Sequence, residues 1–486
     1  MKENPSILDK YPDYEVTIGM EVHVQLITNT KLFCSSSNAI TDIPNVHICQ
    51  ICTGQPGVLP VLNKQVVIAG VKAGLALNCD IQLRSIFARK HYFYPDLPKD
   101  YQITQTDFPI CLNGHLAIKL PDGSTKKIRL ARIHIEEDAG KNVHSSLGHE
   151  SFVDFNRAGT PLLEVVSHPD LSSAYETREY LKNLRLIVQY LQIGTGNMEE
   201  GAFRADTNIS VRKKGAKEFG TRCELKNINS FKYISDAIEY EIERHITTLE
   251  AGKKLFQETR LWDTKEGVTK VMRSKEEAVD YRYLTDPDLP SIDLDAEFIA
   301  QIKTQMPELP FERLTRYMND GLSEYEADIL ITDLSIAQFY EKARSYTKSK
   351  HLINWVLRDF LGLLKQEKLE PSTCKITPEM LAKLVEMLDS GAINNRAAQE
   401  IFSDMATTGQ DPHTIMEKKG LQQMGDTKEL ELMVQNLIKE YPDKAAELKE
   451  GRDRLRGFFV GEVMKKTQGK GNPQLINQIL DSLLKQ

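Results

Sequence analysis

The chain has 486 residues, 41% hydrophobic and 27% charged, with 62 basic against 69 acidic residues and a formal net charge of −7. That length exceeds one core and points to two or three domains of ordinary globular composition. The charge balance excludes a uniformly basic nucleic-acid-binding protein, while leaving room for a basic domain beside an acidic one.

Residues 1–14 are charged and proline-punctuated, without the apolar stretch of a signal peptide. The most apolar run, Val66–Cys79, is interrupted by Lys72 and is too short to span a bilayer. Seven scattered cysteines fit a reducing compartment better than a disulfide framework. The expectation is a cytoplasmic protein with no membrane partner.

In chain order, the first element is a strand. Val16, Ile18, Met20, Val22, Val24 and Leu26 alternate with Glu15, Thr17, Gly19, Glu21, His23 and Gln25. Strand side chains alternate between faces, so Glu21 and His23 share the polar one. The two-residue spacing recurs at His134 and Glu136, within the alternating run Lys126–Ile135 and its continuation. Helical periodicity marks Ala174–Leu191 and Ile234–Leu249. Between them, Arg204–Arg212 alternates again, placing Arg204, Asp206 and Asn208 on one face. Arg222, Glu224 and Lys226 follow across a Lys-Lys-Gly turn, as in an antiparallel hairpin.

After Asp286-Pro-Asp-Leu-Pro290 nearly everything reads as helix. Asp295, Thr377 ahead of Pro378 and Glu379, and Asn472 ahead of Pro473 are start signals; Gly391 follows a helix end. The fold class expected is α+β: a largely antiparallel-sheet domain over 1–293, an all-α connector over 294–370 and an all-α tail over 371–486.

Carboxylates on neighbouring strands suit a hard cation such as Mg²⁺, and interleaved cations suit an anionic substrate, as in ATP-dependent phosphoryl transfer. A solvated sheet face laced with cross-strand ion pairs produces the same alternation. No Walker-type phosphate loop and no Gly-x-Ser-x-Gly elbow is present. Cys49-Gln-Ile-Cys52 has zinc-ligand spacing, with Cys34 upstream and His47 nearby, but lacks a second such pair; buried structural thiols are the alternative.

Tyr14-Glu-Val-Thr-Ile-Gly-Met-Glu-Val-His-Val-Gln25, Pro56-Gly-Val-Leu-Pro60, His91-Tyr-Phe-Tyr-Pro-Asp96, Ile135-Glu-Glu-Asp-Ala-Gly-Lys141, Asp154-Phe-Asn-Arg-Ala-Gly-Thr-Pro161, Met198-Glu-Glu-Gly201, Glu224-Leu-Lys-Asn-Ile-Asn-Ser230 and Asp280-Tyr-Arg-Tyr283 stand in order along the chain. Together they resemble the B-subunit family of aspartyl/glutamyl-tRNA amidotransferases. The resemblance runs from Tyr14 to Gln474, almost the whole chain.

It implies an ATP- and Mg²⁺-dependent ligase subunit that phosphorylates the side-chain carboxylate of misacylated Glu-tRNA(Gln) or Asp-tRNA(Asn). A glutaminase A subunit supplies the ammonia, and a small C subunit completes the heterotrimer. By the same resemblance Glu21, His23, Glu136, Glu137, Glu164, Asp206 and Glu224 are the metal-coordinating positions. Glu21, His23, Lys90, Glu137, Asp206 and Glu224 are the catalytic ones. Many relatives pair Cys-x-Cys with Cys-x-x-Cys to hold zinc. Here Ser36 stands at the second position, leaving Cys34, Cys49 and Cys52 with only His47 as a fourth ligand, which argues against zinc.

From Lys449 to the C-terminus eight basic residues stand against four acidic ones, opposite in sign to the whole chain. Arg452, Arg454, Arg456, Lys465, Lys466 and Lys470 are the candidate contacts to a nucleic-acid backbone. In the family this tail reads the outer corner of tRNA by shape. Phe458, Phe459, Val460 and Met464 are expected in the core. Two rival functions stay open: a non-catalytic tRNA-binding scaffold, and a metal-dependent nuclease or phosphatase using the same acids.

Overall fold

The computed structural model describes residues 7–144, 150–274, 280–423, 427–449, 452–467 and 471–484. Alternation becomes structure first at Tyr14–Gln25, a single strand of 12 residues. Val16, Ile18, Met20, Val22 and Val24 are buried, while Glu21, His23 and Gln25 are partly exposed on the other face.

This strand lies at the centre of a nine-stranded sheet. From it the sheet runs one way through Phe203–Lys213, Cys223–Lys226, Glu258–Asp263 and Val268–Ser274. It runs the other way through Pro161–Ser167, Thr125–Glu137, Cys111–Lys119 and Asp80–Ile81. Among the described residues every pairing is antiparallel except that of Cys223–Lys226 with Glu258–Asp263. The α+β class is therefore as expected, and the hairpin joining Asp206 to Glu224 forms in the foreseen sense.

Among the described residues three helices cover the apolar face of the sheet. Lys64–Ala76 starts at Asn63, whose side chain accepts from the Gln65 amide; Ala174–Tyr190 starts at Ser173, which accepts from the Glu176 amide. Phe231–Glu250 buries Ile234, Ile238, Ile242 and Ile246 along one stripe, at the three- to four-residue spacing that a helix needs to face a sheet. With one side of the sheet sealed by these helices, the polar side chains of the same strands gather on the other.

The first compact unit ends at Arg313 and the second begins at Leu314. The helix Ala296–Thr304, capped by Asp295, packs on Lys64–Ala76 and buries Ile302 in the first core, so that unit continues past the turn near residue 293. The second unit is helical throughout the described residues and holds two cores. One runs from Tyr317 to Met416 and the other from Leu430 to Leu480, so the cores part after Met416 and not near residue 370. The reason is packing: Pro378–Asp389 lies against Leu334–Arg344 across the expected boundary. Among the described residues no helix is long and apolar enough to cross a membrane.

Candidate functional site

Register decides which polar residues meet. Glu21 pairs with Asp206 on one side of the central strand, and His23 pairs with Glu164 on the other; Glu164 in turn pairs with His134 on the next strand. Asn208 pairs with Glu224, which brings Glu224 diagonally beside Asp206. Residues far apart in sequence thus share one sheet face because antiparallel partners place their side chains 4.5–5.5 Å apart (roughly, at Cβ).

Two clusters result, and all their members but Glu224 line one cavity of about 450 Å³. In the first, His23, Glu136 and Glu164 have ligand atoms within 4.8 Å of one another. His23 Nε2 lies 3.2 Å from Glu164 and 3.4 Å from Glu136, and His134 Nε2 lies 3.1 Å from Glu164. Thr104 Oγ1 donates to Glu136 at 3.2 Å. In the second cluster Glu21, Asp206 and Glu224 meet within the same 4.8 Å. Lys226 bridges Asp206 at 2.7 Å and Glu224 at 3.3 Å, Asn208 donates to Glu21 at 3.0 Å, and Thr259 donates to Glu224 at 2.8 Å.

The electrostatics of the two clusters differ. Burial opposes charge on His23, but hydrogen bonds to Glu136 and Glu164 outweigh it and lift its pKa to about 10. Glu136 is correspondingly held down to about 2, again against its burial, by His134 and His23. Glu21 is pushed up, first by burial and then by neighbouring acids, with Lys226 opposing. Three carboxylates around a single ammonium carry surplus negative charge that a divalent cation would relieve. The carboxylate oxygens of Glu21, Asp206 and Glu224 are the donor type that suits Mg²⁺.

Lys90 also reaches this cavity. It stands on the strand Ala88–His91, part of a separate three-stranded sheet with Tyr101–Thr104 and Leu284–Thr285. Burial works against its charge, and the nearby Glu136 and Glu164 carboxylates hold its pKa above the usual lysine value.

Glu137 does not come to the cavity. Residue 136 faces it, so its neighbour points away: Glu137 accepts from the Ile103 amide at 2.9 Å and pairs with Lys99, lining a second cavity with Cys34 and Cys52. Of the two adjacent acids both expected in the metal set, Glu136 faces the cavity and Glu137 does not. Lys226, which alternation placed on the face of Glu224, lines the site, and so do Arg132, Thr104 and Gln105, which were not singled out from sequence. Arg132 was readable from alternation with His134. Thr104 ends a short strand of another sheet, Gln105 follows it, and neither gave a signal.

The family description "GatB/GatE catalytic domain" matches residues 16–300, and "GatB domain" matches 338–484. A curated protein of Persephonella marina, named as the B subunit of aspartyl/glutamyl-tRNA(Asn/Gln) amidotransferase, is 48% identical over 97% of this chain and 100% of its own length. Relatives of the same name from Geotalea daltonii and Thermodesulfovibrio yellowstonii are 48% and 46% identical, over 96% and 97% of this chain and 98% and 100% of their own. The chain belongs to this amidotransferase B-subunit family.

In this B-subunit chain the sulfurs of Cys34, Cys49 and Cys52 lie within 4.8 Å of one another, close enough to share a metal ion. His47 is not in that group; its Nδ1 lies 2.8 Å from the Ala39 carbonyl oxygen. Ser36 Oγ stands 3.9 Å from Cys52, and the ammonium of fully buried Lys31 lies 3.7 Å from the same sulfur. A hydrogen bond from Cys34 pulls the Cys52 thiol down, against burial, with the Cys49 amide and Lys31 assisting.

In the tail, Phe459 and Val463 are buried and Phe458, Val460 and Met464 pack against them, as their periodicity foretold. Arg452, Arg456 and Lys466 each engage an acid: Glu447 at 2.9 Å, Asp481 at 2.6 Å and Glu440 at 3.0 Å. Arg454 and Lys465 are exposed on the same helix, Arg454–Lys466. Lys470 lies outside the described residues.

Proposed function

We propose that this chain is the subunit that activates the side-chain carboxylate of Glu or Asp carried on misacylated tRNA(Gln) or tRNA(Asn), in an ATP-dependent, glutamine-dependent ligase. A glutaminase A subunit delivers ammonia, and a small C subunit completes the heterotrimer. The observation that carries this reading is the convergence of Glu21, Asp206 and Glu224 beside His23, Glu136 and Glu164 on one sheet face.

A carboxylate resists attack by ammonia because it lacks a leaving group. Transfer of the γ-phosphoryl group of ATP to one carboxylate oxygen gives an acyl phosphate; ammonia attacks its carbonyl carbon, and phosphate departs as the amide forms. The carboxylates of Glu21, Asp206, Glu224, Glu136 and Glu164 would hold Mg²⁺, which would supply charge neutralisation at the phosphoryl oxygens. Lys90 and Lys226 bring fixed positive charge to the cavity for the phosphates. His134, buried against Glu164, holds that carboxylate in place. The helical core Leu430–Leu480 carries the tRNA contacts, through Arg454 and Lys465 before the acid-paired residues.

The test is transfer of labelled γ-phosphate in the reconstituted trimer, supplied with both misacylated tRNAs. Loss of phosphate release in Glu21→Ala and Asp206→Ala, with tRNA binding retained, supports the reading. Full amidation by either variant leaves only the scaffold role, and fragmented tRNA marks a nuclease.

A further inference from the structure

The mouth of the acidic cavity carries an aromatic group that the phosphoryl chemistry does not use. Tyr283 lines the cavity and is 47% exposed. Its ring centroid lies 6.0 Å from that of Tyr281, which meets Tyr92 edge-on at 6.2 Å. The Lys90 ammonium stands 4.8 Å from the Tyr281 ring and 6.0 Å from the Tyr92 ring, so one cation ties the cluster to the acid floor.

This cluster is held in place by its backbone. The His91 amide donates to the Tyr281 carbonyl at 2.9 Å, His91 Nδ1 lies 3.0 Å from the Arg282 carbonyl oxygen, and Asp280 accepts from the Arg282 amide at 3.1 Å. Leu284 and Thr285 then pair with Arg89 and Ala88. Between the two tyrosines Arg282 sits at φ 44°, a left-handed conformation that a side-chain-bearing residue adopts at a cost and keeps only where its surroundings enforce it. The enforced turn keeps Tyr281 against Lys90 while Tyr283 stays half open beside the cavity.

We propose that Tyr283, backed by Tyr281 and Tyr92, is the platform on which an adenine base stacks at the mouth of the cavity. An exposed ring beside a phosphate-binding floor matches a nucleotide, whose flat base and charged phosphates need different surfaces; stacking serves any base through its π-face. The inference rests on the ATP-dependent reading of the cavity. Two sources share the chemistry: the base of ATP and the 3′-terminal adenosine of the aminoacyl-tRNA.

The experiment measures KM for ATP and for misacylated tRNA in the reconstituted trimer carrying Tyr283→Ala, Tyr283→Phe or Tyr283→Trp. The alanine variant is expected to raise one KM about tenfold, with kcat falling less, and phenylalanine to restore it. A raised KM for ATP assigns the base of ATP, and a raised KM for tRNA assigns the terminal adenosine. Unchanged KM values for both substrates in an active complex overturn the proposal. Should the alanine variant fail to assemble, Tyr283→Trp decides: quenching of its fluorescence by ATP or by an adenosine-ended acceptor stem supports the platform, and no quenching by either overturns it. A wild-type trimer that amidates without ATP sinks the underlying reading instead, whatever the Tyr283 variants do.

Discussion

Glu21 and Asp206 face each other directly across two antiparallel strands, and Glu224 completes a three-acid group with them inside 4.8 Å. Like charges set directly opposite destabilise a sheet unless something compensates them. Lys226 neutralises part of the group, and on the proposed reading a divalent ion takes up the rest. Removing an acid should therefore cost activity while sparing the fold. Glu21→Ala and Asp206→Ala are expected to lower ATP-dependent amidation by at least about 100-fold, several kcal/mol of charge stabilisation, with far-ultraviolet dichroism unchanged. Activity within tenfold of wild type would remove these acids from the chemistry.

The displacement of Glu137 from the cavity makes a contrast within one dipeptide. Glu136 lies among His23, His134 and Thr104, while Glu137 holds Lys99 and the Ile103 amide behind the sheet. Glu136→Gln should weaken Mg²⁺ dependence, seen as a shift of the Mg²⁺ concentration for half-maximal phosphate release. Glu137→Gln should leave that midpoint in place. Equal shifts in both variants contradict the assignment.

Beneath the sheet, Glu241 is fully buried and is gripped by Arg244 at 2.7 Å and Arg260 at 3.2 Å, with Thr269 and His245 beside it. Burial favours its neutral form, but His245 and Arg244 win and hold its pKa down to about 2. A depressed carboxylate stabilises the fold above its ordinary value of 4.5 and loses that contribution as pH falls toward 2. Glu241→Ala leaves half-buried Arg244 without its acid and buried Arg260 with Glu258 alone, and is expected to cost about 3 kcal/mol. In denaturant titrations the gap between wild type and Glu241→Ala should be constant above pH 4.5 and narrow below it. A gap that widens in acid refutes the sign.

Three cysteine sulfurs are one short of the four ligands that a closed structural zinc site uses. Ser36 occupies a position 3.9 Å from Cys52 where a fourth thiolate would help close the set. Ser36→Cys is expected to raise bound zinc to about one per chain, from well below that in wild type, by elemental analysis after dialysis. Full zinc in the wild-type protein would show that three thiolates and a solvent ligand suffice.

In the tail, Arg454 and Lys465 are exposed, while Arg456 and Lys466 are drawn toward Asp481 and Glu440. Each phosphate contact removed should lower the salt slope of tRNA binding by about one. Arg454→Ala and Lys465→Ala are each expected to do so, uniformly across tRNA species. Unchanged slopes in both place the RNA elsewhere.

Four of the nine strands of the sheet were legible because they alternate: Tyr14–Gln25, Thr125–Glu137, Phe203–Lys213 and Cys223–Lys226 emerged within a residue or two of their expected limits. The capped helices after Asp295 and Thr377 were equally plain. Thr104 and the Gln105 that follows it were not legible, since the four-residue strand Tyr101–Thr104 carries too little periodicity to predict. Nor was the parting of the helical cores after Met416, because helix periodicity names a buried face and leaves its partner open.

Period and composition alone determined which residues share a face of each strand, and the ordered motifs determined kinship. Strand order and register decided the rest: that Glu21 meets Asp206, that His23 meets Glu164, and that Glu136 rather than Glu137 joins them. The physical reason is that a two-residue repeat assigns side chains to faces within one strand. Only pairing across strands, set by long-range packing of the buried face, determines which of those side chains stand together.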